Sequence, residues 1–236
     1  MSRTVKVMGI VNVTPDSFSD GGRHLAPDAA LAHARRLIAQ GADILDIGAE
    51  STRPGAEPVS AEAEIARAEP LIRAIRGESD IPISIDTMKP QVARAAVAAG
   101  ATIWNDVAAL AYSSEAPATA AELGCEVVLM HMQGEPRTMQ ADPRYDDVVA
   151  EVCAFLRQRA DIAMAAGVAR EKIWLDPGIG FGKRTEHNLA LLARLDAIAA
   201  LGFPVLLGVS RKRFIAALDP VEGAALDAQL IAPHRV

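Results

Sequence analysis

Aromatic residues make up only 4% of this 236-residue chain, so Ala, Val, Ile and Leu must fill whatever core it builds. Cysteine is scarce too. Cys125 and Cys153 make no disulfide framework, and no Cys-x-x-Cys metal spacing is present. Reduced thiols fit a cytosolic enzyme. Long apolar runs are also missing. No stretch reaches about 18 apolar residues, so no membrane span is expected. The N-terminus, Met1 to Val7, lacks the apolar run of a signal peptide. Positive charge is in deficit. A net charge of −6 and a pI near 5.4 argue against general nucleic-acid binding. A small anionic substrate would therefore need a local basic site.

What is present is one even texture, which suits a single domain over 1–236. Half the residues are hydrophobic, enough for a sizeable core. Short β-rich runs alternate with longer Ala-rich segments of helical period. The runs are Val5–Val13, Ile44–Gly48, Ile81–Ile85, Thr102–Asn105, Glu126–His131, Ile173–Leu175 and Pro204–Val209. The helical segments include Pro27–Gln40, Ala61–Ile75, Pro90–Ala99, Asp146–Ala166 and His187–Ala200. Strict β-then-α order implies parallel strands and right-handed crossovers. Alternation alone leaves an open sheet and a closed barrel both possible. The polar residues separate them. Asn12, Asp86, Asn105, His131, Asp176 and Ser210 each fall at the C-terminal end of a run, and Asp46 falls late in the second. An open sheet would gather such residues near one switch point. Their recurrence strand after strand is the pattern of a TIM-type (β/α)8 barrel rim.

Six blocks could carry chemistry. Asn12–Gly22 is a polar, glycine-ended loop, and Asn12 offers a neutral oxygen to a hard cation such as Mg²⁺. A surface turn explains it equally. Asp46–Gly55 carries Arg53, a planar donor for phosphate or carboxylate, beside the Thr52 hydroxyl and the Pro54 turn. A solvated loop with Arg53 paired to Glu50 or Glu57 is the bland alternative. Asp86 and Asn105 could serve a bound heterocycle, or could cap the next helix and form a turn. Asp176-Pro-Gly-Ile-Gly-Phe-Gly-Lys183 is neither a Walker A motif nor a dinucleotide fingerprint. Its glycines would expose backbone N–H groups and admit a flat ligand. Phe181 and Phe18 are loop aromatics, either an apolar wall for a substrate or packing beneath a loop. Gly208–Arg213 sets three cations after a hydrophobic run, the local basic site an anion would need. His131 could be a ligand or a base, and is read as a satisfied structural residue.

These blocks, in this order, resemble dihydropteroate synthases from Met8 to about Ile215. Ala49 stands where that family usually has Gly. The resemblance implies a barrel enzyme of folate biosynthesis that joins a dihydropterin diphosphate to p-aminobenzoate. It implies that Asp86, Asn105, Asp176 and Lys212 hold the pterin, and that Asn12 helps carry Mg²⁺. Asp20 and Arg53 would be a gating pair, with Phe18 shielding a developing cation. Thr52, Pro54, Phe181 and Ser210 would frame p-aminobenzoate. Arg53, Asp20 and Lys212 are the expected catalytic residues. The family is expected to be homodimeric and cytoplasmic. It continues into an eighth strand with an Arg-x-His motif that nothing after Ile215 matches, so the barrel is expected to lack its last strand and helices. Two alternatives are a non-catalytic pterin-binding fragment and an enzyme like the methyltetrahydrofolate methyltransferases. The latter lack the Ser-Thr-Arg-Pro-Gly and Ser-Arg-Lys blocks.

Overall fold

The computed structural model describes residues 5–13, 25–50, 58–135, 138–210 and 212. Six strands alternate with helices. The strands are β1 (Met8–Asn12), β2 (Ile44–Gly48), β3 (Ile83–Asp86), β4 (Ile103–Asp106), β5 (Glu126–Met130) and β6 (Ile173–Asp176). The helices are α1 (Leu25–Ala39), α2 (Ala61–Arg76), α3 (Pro90–Ala99), α4 (Ala116–Leu123), α5 (Val148–Ala165), α6 (Thr185–Ala193) and α7 (Leu195–Ala199).

All neighbouring strands are parallel, and their spatial order is β1-β2-β3-β4-β5-β6. Among the described residues the sequential order has no reversal, and so no switch point of the open doubly wound kind. Right-handed crossovers in one direction put every helix on the same face. This is the wall of a TIM-type barrel, and polar strand ends had pointed to it.

Two apolar clusters follow from the period-2 alternation of the strands. One lies between sheet and helices. It holds Leu45, Ile47, Ile83, Ile85, Trp104, Val127, Leu129, Ile173 and Leu175 against helix residues such as Ile72, Leu156 and Ile198. The other occupies the opposite face of the sheet, where Ile44, Ile103 and Val128 pack with Met8, Trp174 and Leu206. This second cluster floors the barrel. Aliphatic side chains dominate both, as the shortage of aromatics requires. Trp104 is fully buried, and its Nε1 donates to Thr87 O at 2.8 Å. That bond ties β4 to the loop following Asp86.

Two expectations about elements are corrected. Pro204–Val209 is not a full strand. It meets β6 through one bridge, Leu175 with Val205, supported by Leu175 N to Pro204 O and Leu206 N to Leu175 O at 2.9 Å. Pro204 supplies no N–H, which shortens the ladder. His187–Ala200 is not one helix either. Arg194 takes φ −120°, ψ 35° and divides it into α6 and α7.

Candidate active site

The site stands at the C-terminal ends of the strands. Parallel partners project to the same face, and the register links Asn12 to Gly48, Gly48 to Asp86, and Asp86 to Asn105. It also links Asp46 to Ser84, and Met130 to Asp176. Asn12, Asp46, Ser84, Asp86, Asn105 and Asp176 therefore all face the barrel mouth, above the apolar floor. Asn105 Nδ2 lies 3.4 Å and 3.5 Å from the two carboxylate oxygens of Asp46. Asp86 Oδ1 and Ser84 Oγ are shielded from solvent and find no hydrogen-bond partner among the described residues. An unpaired buried oxygen costs about 1–3 kcal/mol, so this arrangement is suited to a bound donor.

Neither alternative role holds for Asp86 or Asn105. Helix α3 begins at Pro90 after Lys89, whose N–H donates to Thr87 Oγ1 at 3.1 Å, so Asp86 does not cap it. The turn after β4 is made by Asp106, whose two oxygens accept from Ala108 N and Leu110 N at 2.8 Å. Asn105 is free to face the mouth.

Burial pushes the Asp86 carboxyl well above the usual range, and the nearby charge of Asp46 adds to it. Burial also raises Asp46. Asp176 is pushed up to about 6 by burial, while the Gly178 N–H and the ammonium groups of Lys212 and Lys183 oppose the shift. Across from these acids stands Lys212, whose Nζ sits 4.0 Å from the centroid of the Phe181 ring. Burial lowers the Lys212 pKa, and Asp176 and Asp86 hold it up. Ser210 is exposed beyond the seventh run. The mouth thus offers carboxylates and an amide opposite one ammonium and one aromatic ring. Such a set matches a flat heterocycle with several N–H groups and a carbonyl.

Asn12 is exposed, and its Oδ1 lies beside Gly48. A Cβ at position 48 would stand 3.0 Å from that oxygen and 3.8 Å from Asp86 Oδ2. Two hard oxygens close to one point fit a cation that keeps most of its water, as Mg²⁺ does. No cluster of three or more His, Cys, Asp or Glu ligands occurs among the described residues. Phe18, Asp20, Thr52, Arg53 and Pro54 lie outside the described residues.

The loop after β6 corrects the reading of its glycines. Gly178 and Gly182 do not open the backbone to a ligand, whereas a Cβ at Gly180 would meet the Lys212 side chain at 2.9 Å. A Cβ at Gly178 would stand 1.9 Å from His131 O, and one at Gly182 would stand 2.4 Å from Gln133 O. These glycines let two backbones touch. Two of the loop glycines' own N–H groups are also in use: Gly178 N donates to Asp176 Oδ1 at 2.7 Å, and Gly180 N to Asn188 Oδ1 at 2.8 Å.

Several working residues carried no signal of their own in the sequence. Lys183 is 3% exposed, and burial pulls its ammonium down to about 7. Its Nζ lies 2.9 Å from His131 Nδ1. His131 packs edge-on against Phe155, and burial together with Lys183 holds it near 3, so it stays neutral. Lys89 reaches Glu50 at 2.6 Å and Glu64 at 2.8 Å in a nearly closed ion network at the foot of the second loop. Glu50 Oε1 also accepts from Val59 N at 2.8 Å. The spacing of 25 and 39 residues within this network hides it from any local pattern.

The pterin binding enzyme family matches residues 8–232. This chain belongs to the pterin binding enzyme family. A Streptococcus pyogenes dihydropteroate synthase is 51% identical over 212 residues, covering 90% of this chain and 77% of that protein. The solved structure of Xanthomonas albilineans dihydropteroate synthase with 4-aminobenzoic acid is 50% identical, with a TM-score of 0.86. That match covers 96% of this chain and 83% of the other. A second structure of the Xanthomonas albilineans enzyme, in complex with 7,8-dihydropteroate, is 47% identical over 96% of this chain and 83% of its own, with a TM-score of 0.82.

Proposed function

We propose that this chain is a dihydropteroate synthase. It joins 6-hydroxymethyl-7,8-dihydropterin diphosphate to p-aminobenzoate, giving 7,8-dihydropteroate and pyrophosphate. The observation that carries this reading is the convergence of Asp86, Asn105, Asp176 and Lys212 at one mouth, with a buried Asp86 oxygen left unpaired. Relatives at about 50% identity with the same activity support it.

In the reaction the C–O bond between the pterin methylene and the diphosphate breaks, and pyrophosphate leaves with the electron pair. The amine nitrogen of p-aminobenzoate forms the new C–N bond and then loses a proton. Asp176 accepts from the pterin 2-amino and ring N–H groups, a bidentate match. Lys212 donates to the carbonyl oxygen and ring nitrogen. Asp86 and Asn105 hold the other edge. The amine is already a neutral nucleophile, so positioning and charge stabilisation supply most of the acceleration. Asn12 would hold Mg²⁺ with Asp86 nearby, and the ion supplies charge neutralisation for the leaving group. By the family resemblance Asp20 and Arg53 would be a gating pair, and Phe18 would shield the developing cation. By the same resemblance Thr52, Pro54, Phe181 and Ser210 would frame p-aminobenzoate.

Calorimetric titration with the dihydropterin diphosphate and Mg²⁺ tests the site. Saturable binding that Asp176→Asn weakens is expected. Folded protein that shows no saturable binding would overturn the assignment.

A further inference from the structure

Asp176 is held from behind by a closed circuit of hydrogen bonds. His131 N donates to Asp176 O at 2.9 Å. Lys183 Nζ stands 2.9 Å from His131 Nδ1 and 3.2 Å from His131 O. The same ammonium donates to Gly178 O at 2.9 Å. Gly178 N then returns to Asp176 Oδ1 at 2.7 Å. One more bond, from Lys183 Nζ to Phe181 O at 3.0 Å, brings in the residue whose ring lies under Lys212.

The ammonium is surrounded by acceptors yet meets no carboxylate directly among the described residues. Lysine left to itself on a loop would be solvated. Here it is held instead by hydrogen bonds to His131, Gly178 O and Phe181 O. The packing has no slack, since His131 O lies where any side chain at Gly178 would begin. From the outer side, Tyr145 Oη donates to Gly182 O at 2.8 Å. The loop is therefore clamped from within by Lys183 and from without by Tyr145.

We infer that Lys183 is a positioning residue, which fastens the loop after β6 to the end of β5 and so fixes the Asp176 carboxylate and Phe181 beneath Lys212 before substrate arrives. The inference rests on reading the mouth as a pterin site. Lys183 is buried and acts only through its neighbours. A preformed rim loses less freedom on binding, so losing the clamp costs affinity.

The test is equilibrium binding of dihydropterin diphosphate to the full chain and to Lys183→Met, Tyr145→Phe, Asp176→Asn and the Lys183→Met/Asp176→Asn pair, each referred to its folded fraction. Lys183→Met should weaken binding about 10-fold or more, the scale on which supporting residues act. Tyr145→Phe should weaken it by about 2- to 5-fold, one neutral hydrogen bond. In the Asp176→Asn background the Lys183 substitution should add little, because both act through one carboxylate. Unchanged affinity in Lys183→Met, or fully additive losses in the pair, would reduce Lys183 to a stabiliser of the fold and overturn the inference. If Lys183→Met does not fold, Tyr145→Phe decides, and unchanged affinity there overturns it. Hydrogen exchange at the Gly178 amide reports the circuit without ligand. Faster exchange in Lys183→Met, with sheet amides unchanged, is expected, and unchanged exchange would break the circuit. Failure of the unsubstituted chain to bind pterin would strike the proposed function and leave the exchange result standing.

Discussion

The Lys212 ammonium rests 4.0 Å above the Phe181 ring. The pairing joins the basic segment after the seventh run to the glycine-rich loop after β6, two segments 31 residues apart in the chain. It also aims the cation across the mouth at Asp176 and Asp86, whose charges sustain it against burial.

Lys212→Ala should therefore remove a charged donor to the pterin carbonyl. Such bonds are worth about 1.5–3 kcal/mol, so pterin affinity should fall about 10- to 100-fold. Phe181→Ala, which deletes the cation–π contact alone, should cost about 0.5–2 kcal/mol. Titration calorimetry reads both. Unchanged affinity in Lys212→Ala would remove this residue from the pterin site.

Acid should weaken pterin binding near pH 6, far above the usual carboxylate range. The Asp176 pKa is raised from 3.8 to about 6 by burial. In the proposed function its ionised form accepts the pterin N–H groups, so affinity should drop as pH falls through about 6. The sign for stability of the free protein is opposite. A raised carboxyl pKa contributes stability that is present below 3.8 and lost as pH rises through about 6. Affinity and melting temperature measured from pH 5 to 8 should thus move in opposite senses: as pH rises, the dissociation constant and the melting temperature of the free protein both fall. An acid limb that stays near pH 4 would contradict this account.

Arg53→Ala should slow turnover more than it weakens pterin binding measured without p-aminobenzoate. A residue that closes over the second substrate has that signature. Equal losses in both measurements would exclude the gating role. Steady-state rates beside the titration separate the two cases.

Lys89→Met should destabilise the fold strongly. It leaves Glu50 and the fully buried Glu64 without their shared cation. Removing one partner of a buried pair costs about 3–5 kcal/mol. Urea unfolding should show that loss in Lys89→Met and a smaller one in the Lys89→Met/Glu64→Gln double variant, because the second change removes a stranded charge. A loss under about 1 kcal/mol would mean the network is solvated.

The rim was legible in the sequence because strands impose period 2, and each run closes on a polar residue that the alternation sends to one face. Asp86, Asn105 and Asp176 were found that way. The flanking network was not. Lys183 reads like any loop lysine until the fold surrounds it with His131 O, Gly178 O and Phe181 O. The glycines of that loop pointed to a ligand, because sequence cannot show that the nearest surface is the backbone of residues 131–133. The strained turn after β4, with Ala109 at φ 51° and Leu110 at φ 60°, was equally hidden. Asp106 and Arg159, whose Nε donates to Ala109 O at 2.6 Å, hold it through contacts that only the tertiary fold creates. The seventh run looked like a strand by composition, but strand length is set by its neighbours, and only Leu175 meets it.

The most direct test of the central claim is product formation. The 236-residue chain is incubated with dihydropterin diphosphate, p-aminobenzoate and Mg²⁺, and dihydropteroate and pyrophosphate are measured by mass spectrometry and a coupled assay. The account predicts both products in equal amounts, with Asp176→Asn and Lys212→Ala strongly reduced. Folded protein that binds both substrates yet forms neither product would contradict it.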